Sequence, residues 1–251
     1  MSRRTAVVTG ASAGIGAATA RQLVAAGYDV VLGARRVERI EALAGELGDA
    51  ARAHVLDVTD PASVAAFAAA TGRCDVLVNN AGGALGLESV AEGDLDRWRA
   101  MYETNVLGVV RMTQALLPAL RASGDGHVVI VGSIAGVEAY PGGGGYNAAK
   151  FAVHAVRDVL RQELLGEPVR VTEIAPGLVE TEFSLVRFDG DAERAARVYE
   201  GMTPLSADDV AETIVWCLQR PPHVNVDHLL LLPTDQARAT QVHRRSRGGD
   251  T

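Results

Sequence analysis

The chain of 251 residues holds only two cysteines, Cys74 and Cys217, too few and too far apart for a disulfide framework. No cluster of Cys and His has zinc-ligand spacing, so no metal is expected. Basic charge is not in excess either: 24 Lys and Arg stand against 31 Asp and Glu, a formal net charge of -7. Nucleic acids and anionic membranes are bound through basic surfaces, so neither is an expected partner. No apolar run is long enough to cross a bilayer, and no long apolar signal region follows Ser2-Arg3-Arg4. Internal repeats and interior linkers are also lacking. These absences lead us to expect a soluble, unprocessed protein of a reducing cytoplasm, with small molecules as partners. Residues 1–242 are expected to form one domain, and 243–251, "HRRSRGGDT", a solvated flexible tail.

What the chain does have is an alternation of short apolar, β-branched runs with longer helical patterns. Seven runs read as strands: "TAVVTG", "YDVVLGA", "RAHVLDV", "CDVLVNNAG", "GHVVIVGS", "VRVTEIAPG" and "DHLLLLPT". Stretches such as "VVIV" do not alternate apolar with polar, which implies burial on both faces, as in a parallel sheet covered by helices. Helix ends are also readable. Asp60-Pro61 has the form of an N-cap followed by proline at the first helical position, and Gly27 stands where a C-terminal glycine belongs. The βαβα order predicts a single-domain α/β, doubly wound sheet of about seven parallel strands with helices on both faces.

"TGASAGIG", Thr9 to Gly16, follows the first strand and opens the first helix. Glycines there allow a tight turn, a bare backbone for a pyrophosphate, and access to the free N–H groups of a helix N-terminus. The second strand then ends in Gly33-Ala34-Arg35-Arg36, where an NAD site usually carries an acid for the ribose diol. A guanidinium instead suits a 2′-phosphate, so NADP(H) is the expected cofactor.

With "NNAG" at Asn79 to Gly82, Asn105 in "ETNVLG", Ser133 in "VGSIAG", the Tyr146-x3-Lys150 pair and "PGLVET" from Pro176 to Thr181, the sequence resembles the short-chain dehydrogenase/reductase family. The resemblance covers nearly the whole chain, and the motifs stand in the family's order. Two shorter strings, "ARRVERIEAL" and "LLLLPTDQ", resemble the branch with clavulanic acid dehydrogenase and the NADP-dependent serine and 3-hydroxy acid dehydrogenases. The resemblance implies a Rossmann-like fold and transfer of hydride between a nicotinamide and a carbonyl or alcohol. It assigns Asn105, Ser133, Tyr146 and Lys150 to catalysis, with Asn105 holding a water that links Lys150 to solvent. Gly10, Ser12, Gly14, Ile15 and Gly16, with Arg35 and Arg36, are assigned to the cofactor, and Asp57 and Val58 to the adenine. Asn79, Ala81 and Gly82 line the adenosine side. Pro176, Gly177, Val179 and Thr181 belong to the nicotinamide end, where Lys150 also binds the ribose.

The chemistry of the pair supports this independently. Residues four apart share a helix face, so the ammonium sits near the phenol. A free tyrosine titrates at about 10, and a nearby cation is expected to draw that value toward working pH. Other readings stay open for single residues. Arg36 would coat the next helix, Asn105 would bridge two backbone groups, and Asp57 would cap a turn near Thr59-Asp60. For the whole chain the alternatives are a non-catalytic dinucleotide sensor or scaffold of the same fold, and an epimerase or dehydratase.

Substrate walls are expected at Gly83 to Leu87 and from Glu182 to about Met202, with Phe183, Leu185, Val186, Phe188 and Tyr199 forming a partly apolar lid. The run Gly142 to Gly145 either makes room for substrate or lets the tyrosine helix begin in an unusual geometry. A homotetramer or homodimer is expected from surplus apolar residues on two helices. These are Val106, Val109, Val110, Met112, Leu116, Leu117 and Leu120 within Leu95 to Ala122, and Phe151, Val153, Val156 and Leu160 within Tyr146 to about Leu165.

Overall fold

The computed structural model describes residues 3–245. All seven expected strands form: β1 Thr5–Thr9, β2 Asp29–Ala34, β3 Ala51–Val55, β4 Val76–Asn79, β5 Gly126–Val131, β6 Val169–Pro176 and β7 His228–Leu231. They pair in parallel throughout, in the order β3-β2-β1-β4-β5-β6-β7. The order reverses between β1 and β4, which opens a crevice at the carboxyl ends of the strands.

Successive residues of each strand feed opposite layers. Ala6 and Val8 of β1 pack with Leu23, Ile40 and Ile214 on one face, and Val7 packs with Phe67, Met112 and Leu116 on the other. The first layer is built by α1 Gly14–Ala25, α2 Val37–Leu47 and α9 Ala207–Leu218. The second contains α3 Pro61–Thr71, α5 Gly108–Ala122 and α6 Gly144–Glu163. Asp60 caps α3 by accepting from the Ala62 N–H, with Pro61 as the first helical residue, and Gly27 takes a left-handed φ of 88° just past α1.

The run expected as one helix from Leu95 to Ala122 is interrupted. It forms α4 Leu95–Tyr102, a π-helical turn at Glu103–Leu107, and then α5. Most of its apolar side chains are used inside the chain. Val106, Val109, Met112, Leu116 and Leu120 are buried, as is Val153 of α6, while Val110, Leu117, Val156 and Leu160 are half-buried. The apolar surface left by α6 and the turn after it is Phe151, Val159 and Leu165, a smaller face than the sequence suggests.

The glycine run is explained by helix packing. Gly142 has φ 77° and starts the turn into α6, while Trp98 of α4 lies 2.8 Å from where a Cβ on Gly144 would stand and 2.9 Å from one on Gly145. Side chains here would drive α6 away from α4, so the glycines set the position of Tyr146; the room they leave is filled by Trp98, Met101 and Leu87.

Two short helices, α7 Phe183–Arg187 and α8 Ala192–Arg197, follow β6. The expected tail begins with residues that are held: His243 N–H donates to Asp235, Arg245 N–H to Gly201, and the Arg244 side chain to Val198 and Glu200 carbonyls. Residues 246–251 of that tail lie outside the described residues. Among the described residues no helix is long and apolar enough to cross a membrane.

Candidate active site

The strand ends enclose a cleft of about 760 Å³, lined at one end by the turn before α1 and at the other by α7 and the start of α6. Gly10 takes φ 66°, and a Cβ there would come within 2.9 Å of the Ala81 Cα; one on Gly16 would collide with the Gly10 carbonyl. Asn80 holds this turn, donating from Nδ2 to the Thr9 and Gly10 carbonyls at 2.9 and 3.2 Å. Asn79 points the other way, to the Thr113 hydroxyl behind the sheet, and does not line the cleft. This corrects the expectation for Asn79: strand alternation sends its side chain away, and Asn80 takes the supporting position. Helix α1 has no side-chain cap at Ala13, so its first N–H groups face the cleft available to an anion.

The far end of the turn is basic. Arg36 donates from Nε to Ser12 Oγ (3.1 Å) and pairs with Glu182 (2.8 Å), which also accepts from Arg39 (2.7 Å). Arg36 therefore ties three segments of the cleft wall together rather than simply coating α2. Arg35 is exposed, lines the cleft, and makes no hydrogen bond or ion pair among the described residues. Asp57 accepts from the Thr59 N–H (2.9 Å) and hydroxyl (2.7 Å), so its carboxylate does cap a turn. Burial alone would raise its pKa, but the Thr59 hydrogen bonds and the charge of Arg35 hold it below the usual carboxylate range.

At the other end Ser133, Tyr146 and Lys150 meet. Ser133 leaves β5 in extended geometry and accepts from the Ala135 N–H at 3.1 Å. Lys150 Nζ lies 5.7 Å from the centre of the Tyr146 ring and donates to the Val131 carbonyl at 2.9 Å. Asn147, one residue beyond the tyrosine, donates to the Ala135 and Glu138 carbonyls and so fixes the loop between Ser133 and Tyr146.

Burial pushes the Lys150 ammonium down to about 8, against the raising effect of Glu173. Burial also pushes the Tyr146 phenol well above its ordinary value, with the Ser133 hydroxyl and the Arg187 charge pulling the other way. The expected lowering of Tyr146 by the neighbouring cation is thus overturned: desolvation disfavours the phenolate more than the nearby charges favour it. Asn105 sits in the π turn, outside the cleft. It donates to the Met101 and Gly83 carbonyls (2.7 and 2.9 Å) and accepts from the Gly83 N–H (3.2 Å), which makes its side chain a brace for the cleft wall.

Ser12, Gly14, Ile15, Val58, Ala81, Gly82, Pro176, Gly177, Val179 and Thr181 all line the cleft, whereas Gly16 does not. Of the expected lid residues, Phe183, Val186, Phe188 and Tyr199 line it and Leu185 does not.

Two contributors carry no motif in the sequence. Arg187 of α7 donates from Nε to the Gly86 carbonyl (3.0 Å) and from one amino group to the Tyr140 hydroxyl (3.1 Å). Its other amino group is buried with no partner among the described residues, and the guanidinium carbon stands 5.7 Å from the centre of the Tyr146 ring. Tyr140 itself lines the cleft. For Lys150 a plain signal was available beyond the motif: it is the only lysine in the chain, every other Lys or Arg being arginine.

The bare turn, the uncapped helix start, the unpaired Arg35 and the hydroxyl pair beside a buried lysine define a nicotinamide-dependent oxidoreductase, and they fit NADP(H). The chain belongs to the short-chain dehydrogenase/reductase family: the model for short chain dehydrogenases matches residues 4–190. It is 45% identical over 237 residues to sulfoacetaldehyde reductase of Chromohalobacter salexigens, covering 92% of this chain and 94% of that one. It is 43% identical over 244 residues to an NADP-dependent 3-hydroxy acid dehydrogenase of Salmonella typhi, covering 95% and 98%. A closed form of serine dehydrogenase complexed with NADP+ superposes with a TM-score of 0.91 at 40% identity, covering 96% of this chain and 100% of that one. The protein is accordingly an NADP(H)-dependent dehydrogenase/reductase acting on CH–OH groups and the matching carbonyls.

Proposed function

We propose that this enzyme works in the cytoplasm as a reductase of small aldehydes or ketones that carry a carboxylate or sulfonate close to the carbonyl. The observation that carries this reading is Arg187. A half-buried arginine whose one unpartnered amino group is buried, beside the Tyr146 ring, suits an anionic group held in a charge-assisted pair. An unpaired buried donor is costly, and a substrate acid removes that cost. The compounds in the names of two relatives, sulfoacetaldehyde and 3-hydroxy acids, bear such a group. Burial keeps Tyr146 a neutral phenol, the form that carries the proton a reduced carbonyl oxygen must receive.

Arg35, Arg36 and Ser12 would hold the adenosine 2′-phosphate, the turn and α1 the pyrophosphate, and Thr181, Val179 and Lys150 the nicotinamide end. When bound, the cofactor supplies the hydride. The protein does the rest. Arg187 and the lid orient the substrate, the Ser133 and Tyr146 hydroxyls bind its oxygen, and Tyr146 delivers the proton. The Lys150 ammonium then stabilises the phenolate left behind, while Asn105 keeps the Gly82–Gly83 wall in register.

NADPH consumption followed at 340 nm with sulfoacetaldehyde, 3-oxopropanoate and propanal tests the reading. The acids should be preferred over propanal by kcat/KM. Arg187→Met should cut that preference about 30-fold or more, the range for truncating one partner of a buried charge pair. Equal use of propanal and the acids by the wild type would refute it.

A further inference from the structure

Helix α6 presents a polar stripe toward the sheet: Tyr146, Lys150, His154 and Arg157 follow at helical spacing. Opposite the stripe lies Glu173 of β6, fully buried. Its Oε2 accepts from His154 Nδ1 at 2.7 Å and from Arg157 Nε at 3.4 Å. Its Oε1 has no hydrogen-bond partner among the described residues and lies where a side chain on Gly132 would collide with it. Gly132 stands between Val131, whose carbonyl binds Lys150 Nζ, and Ser133. The free carboxylate oxygen and the ammonium therefore flank one short piece of β5.

The arginine that contacts Glu173 is shared with two other acids. Arg157 is buried, and its guanidinium is shared among Glu173, Asp227 (2.5 Å) and Asp158 (2.8 Å), while Arg161 pairs with the other oxygen of Asp227 (2.8 Å). His228 of β7 faces the cluster, and burial holds it below its ordinary pKa, so it brings no charge at neutral pH. The donor atoms of His154, Glu173 and His228 gather within 4.8 Å, but the cation among them is already the Arg157 guanidinium, 3.3 Å from the His154 ring. Around Lys150 stand Tyr146, the Val131 carbonyl, the Asn105 amide across Gly82, and Arg187 beyond the tyrosine ring. None of these is an acid at neutral pH; Glu173 is the acid whose charge acts on Lys150.

We propose that Glu173, held by His154 and Arg157, is the buried counter-charge of Lys150 and a positioning residue that keeps the ammonium in place beside Tyr146. This rests on the reading of Lys150 as part of the reductase site, but the test separates the two. Because Lys150 is the single lysine, protein grown on lysine labelled with ¹³C at Cε gives one side-chain signal, whose titration reports Lys150 directly. The full chain would be titrated with and without NADP+. A wild-type midpoint near 8 is expected. Glu173→Gln should lower it by about one pH unit or more, the effect of a neighbouring opposite charge, and Glu173→Asp should restore most of the shift. The alkaline limb of kcat should move with the midpoint.

An unchanged midpoint in folded Glu173→Gln overturns the proposal, as does a shifted midpoint with an unmoved kcat limb. Should Glu173→Gln fail to fold, the wild type still decides. A buried lysine without a counter-charge falls to about 5–6, and a wild-type midpoint below about 7 overturns the pairing. Failure of the wild type to reduce any carbonyl would refute the proposed function and leave the titration result standing.

Discussion

Replacing Arg35 by serine tests the cofactor end of the site. Arg35 lines the cleft with no hydrogen bond or ion pair among the described residues, so its removal breaks no internal contact of that kind. What is lost is the contact with the 2′-phosphate. A hydrogen bond to a charged group contributes about 1.5–3 kcal/mol, and an exposed arginine belongs at the low end because water screens it. The loss should be about 1.5–2 kcal/mol, roughly 10- to 30-fold in Kd for NADPH. NADH lacks the phosphate and should bind within about twofold of the wild type. Arg36→Ser differs, because it also severs Ser12 from Glu182 and should weaken both cofactors. Fluorescence titration of NADPH and NADH at two salt concentrations reads all of this. In the wild type, added salt should weaken NADPH more than NADH, and in Arg35→Ser that difference should shrink. Equal weakening of both cofactors by Arg35→Ser, or of neither, would refute the assignment.

Two further outcomes are expected. His127 is fully buried on β5, where burial together with the charges of Arg170 and Arg4 pushes it down to about 3. Its folded pKa lies below the unfolded value, so the unfolded chain binds the proton first and stability falls as pH drops below about 6.5, by about 1.4 kcal/mol per unit from this group. Urea unfolding at pH 7.5, 6 and 5 checks this, and His127→Gln should flatten the slope. For assembly, light scattering with size exclusion should give a dimer or tetramer through the Phe151, Val159 and Leu165 face, and Phe151→Glu should shift it toward monomer.

The sheet was legible because each strand is a short β-branched run between turn residues, and Asp60-Pro61 and Gly27 punctuate helices by local chemistry that needs no tertiary partner. The break at Glu103–Leu107 was not, since no proline or glycine lies within it; what accompanies it is the bracing of Gly83 by Asn105, a contact 22 residues away. Choosing between Asn79 and Asn80 depends on which face each takes at the strand end, and adjacent identical residues give no signal for that. The glycine run could be read as important but not explained, because its partner Trp98 lies on another helix. Tyr146 was misjudged in the direction of its pKa because spacing reveals the neighbouring cation and not the depth of burial. Arg187 and Glu173 belong to no motif, and only the fold brings them beside the tyrosine and the lysine.

The central claim is that Tyr146 gives the proton as NADPH reduces an acid-bearing carbonyl, and single-turnover NADPH oxidation by Tyr146→Phe tests it most directly. The variant keeps the ring and its packing on Phe183, so NADPH should bind as in the wild type. Turnover of sulfoacetaldehyde should fall by at least about 10²-fold, the range for a general acid. A folded variant that binds NADPH and oxidises it at near wild-type rate would contradict the account.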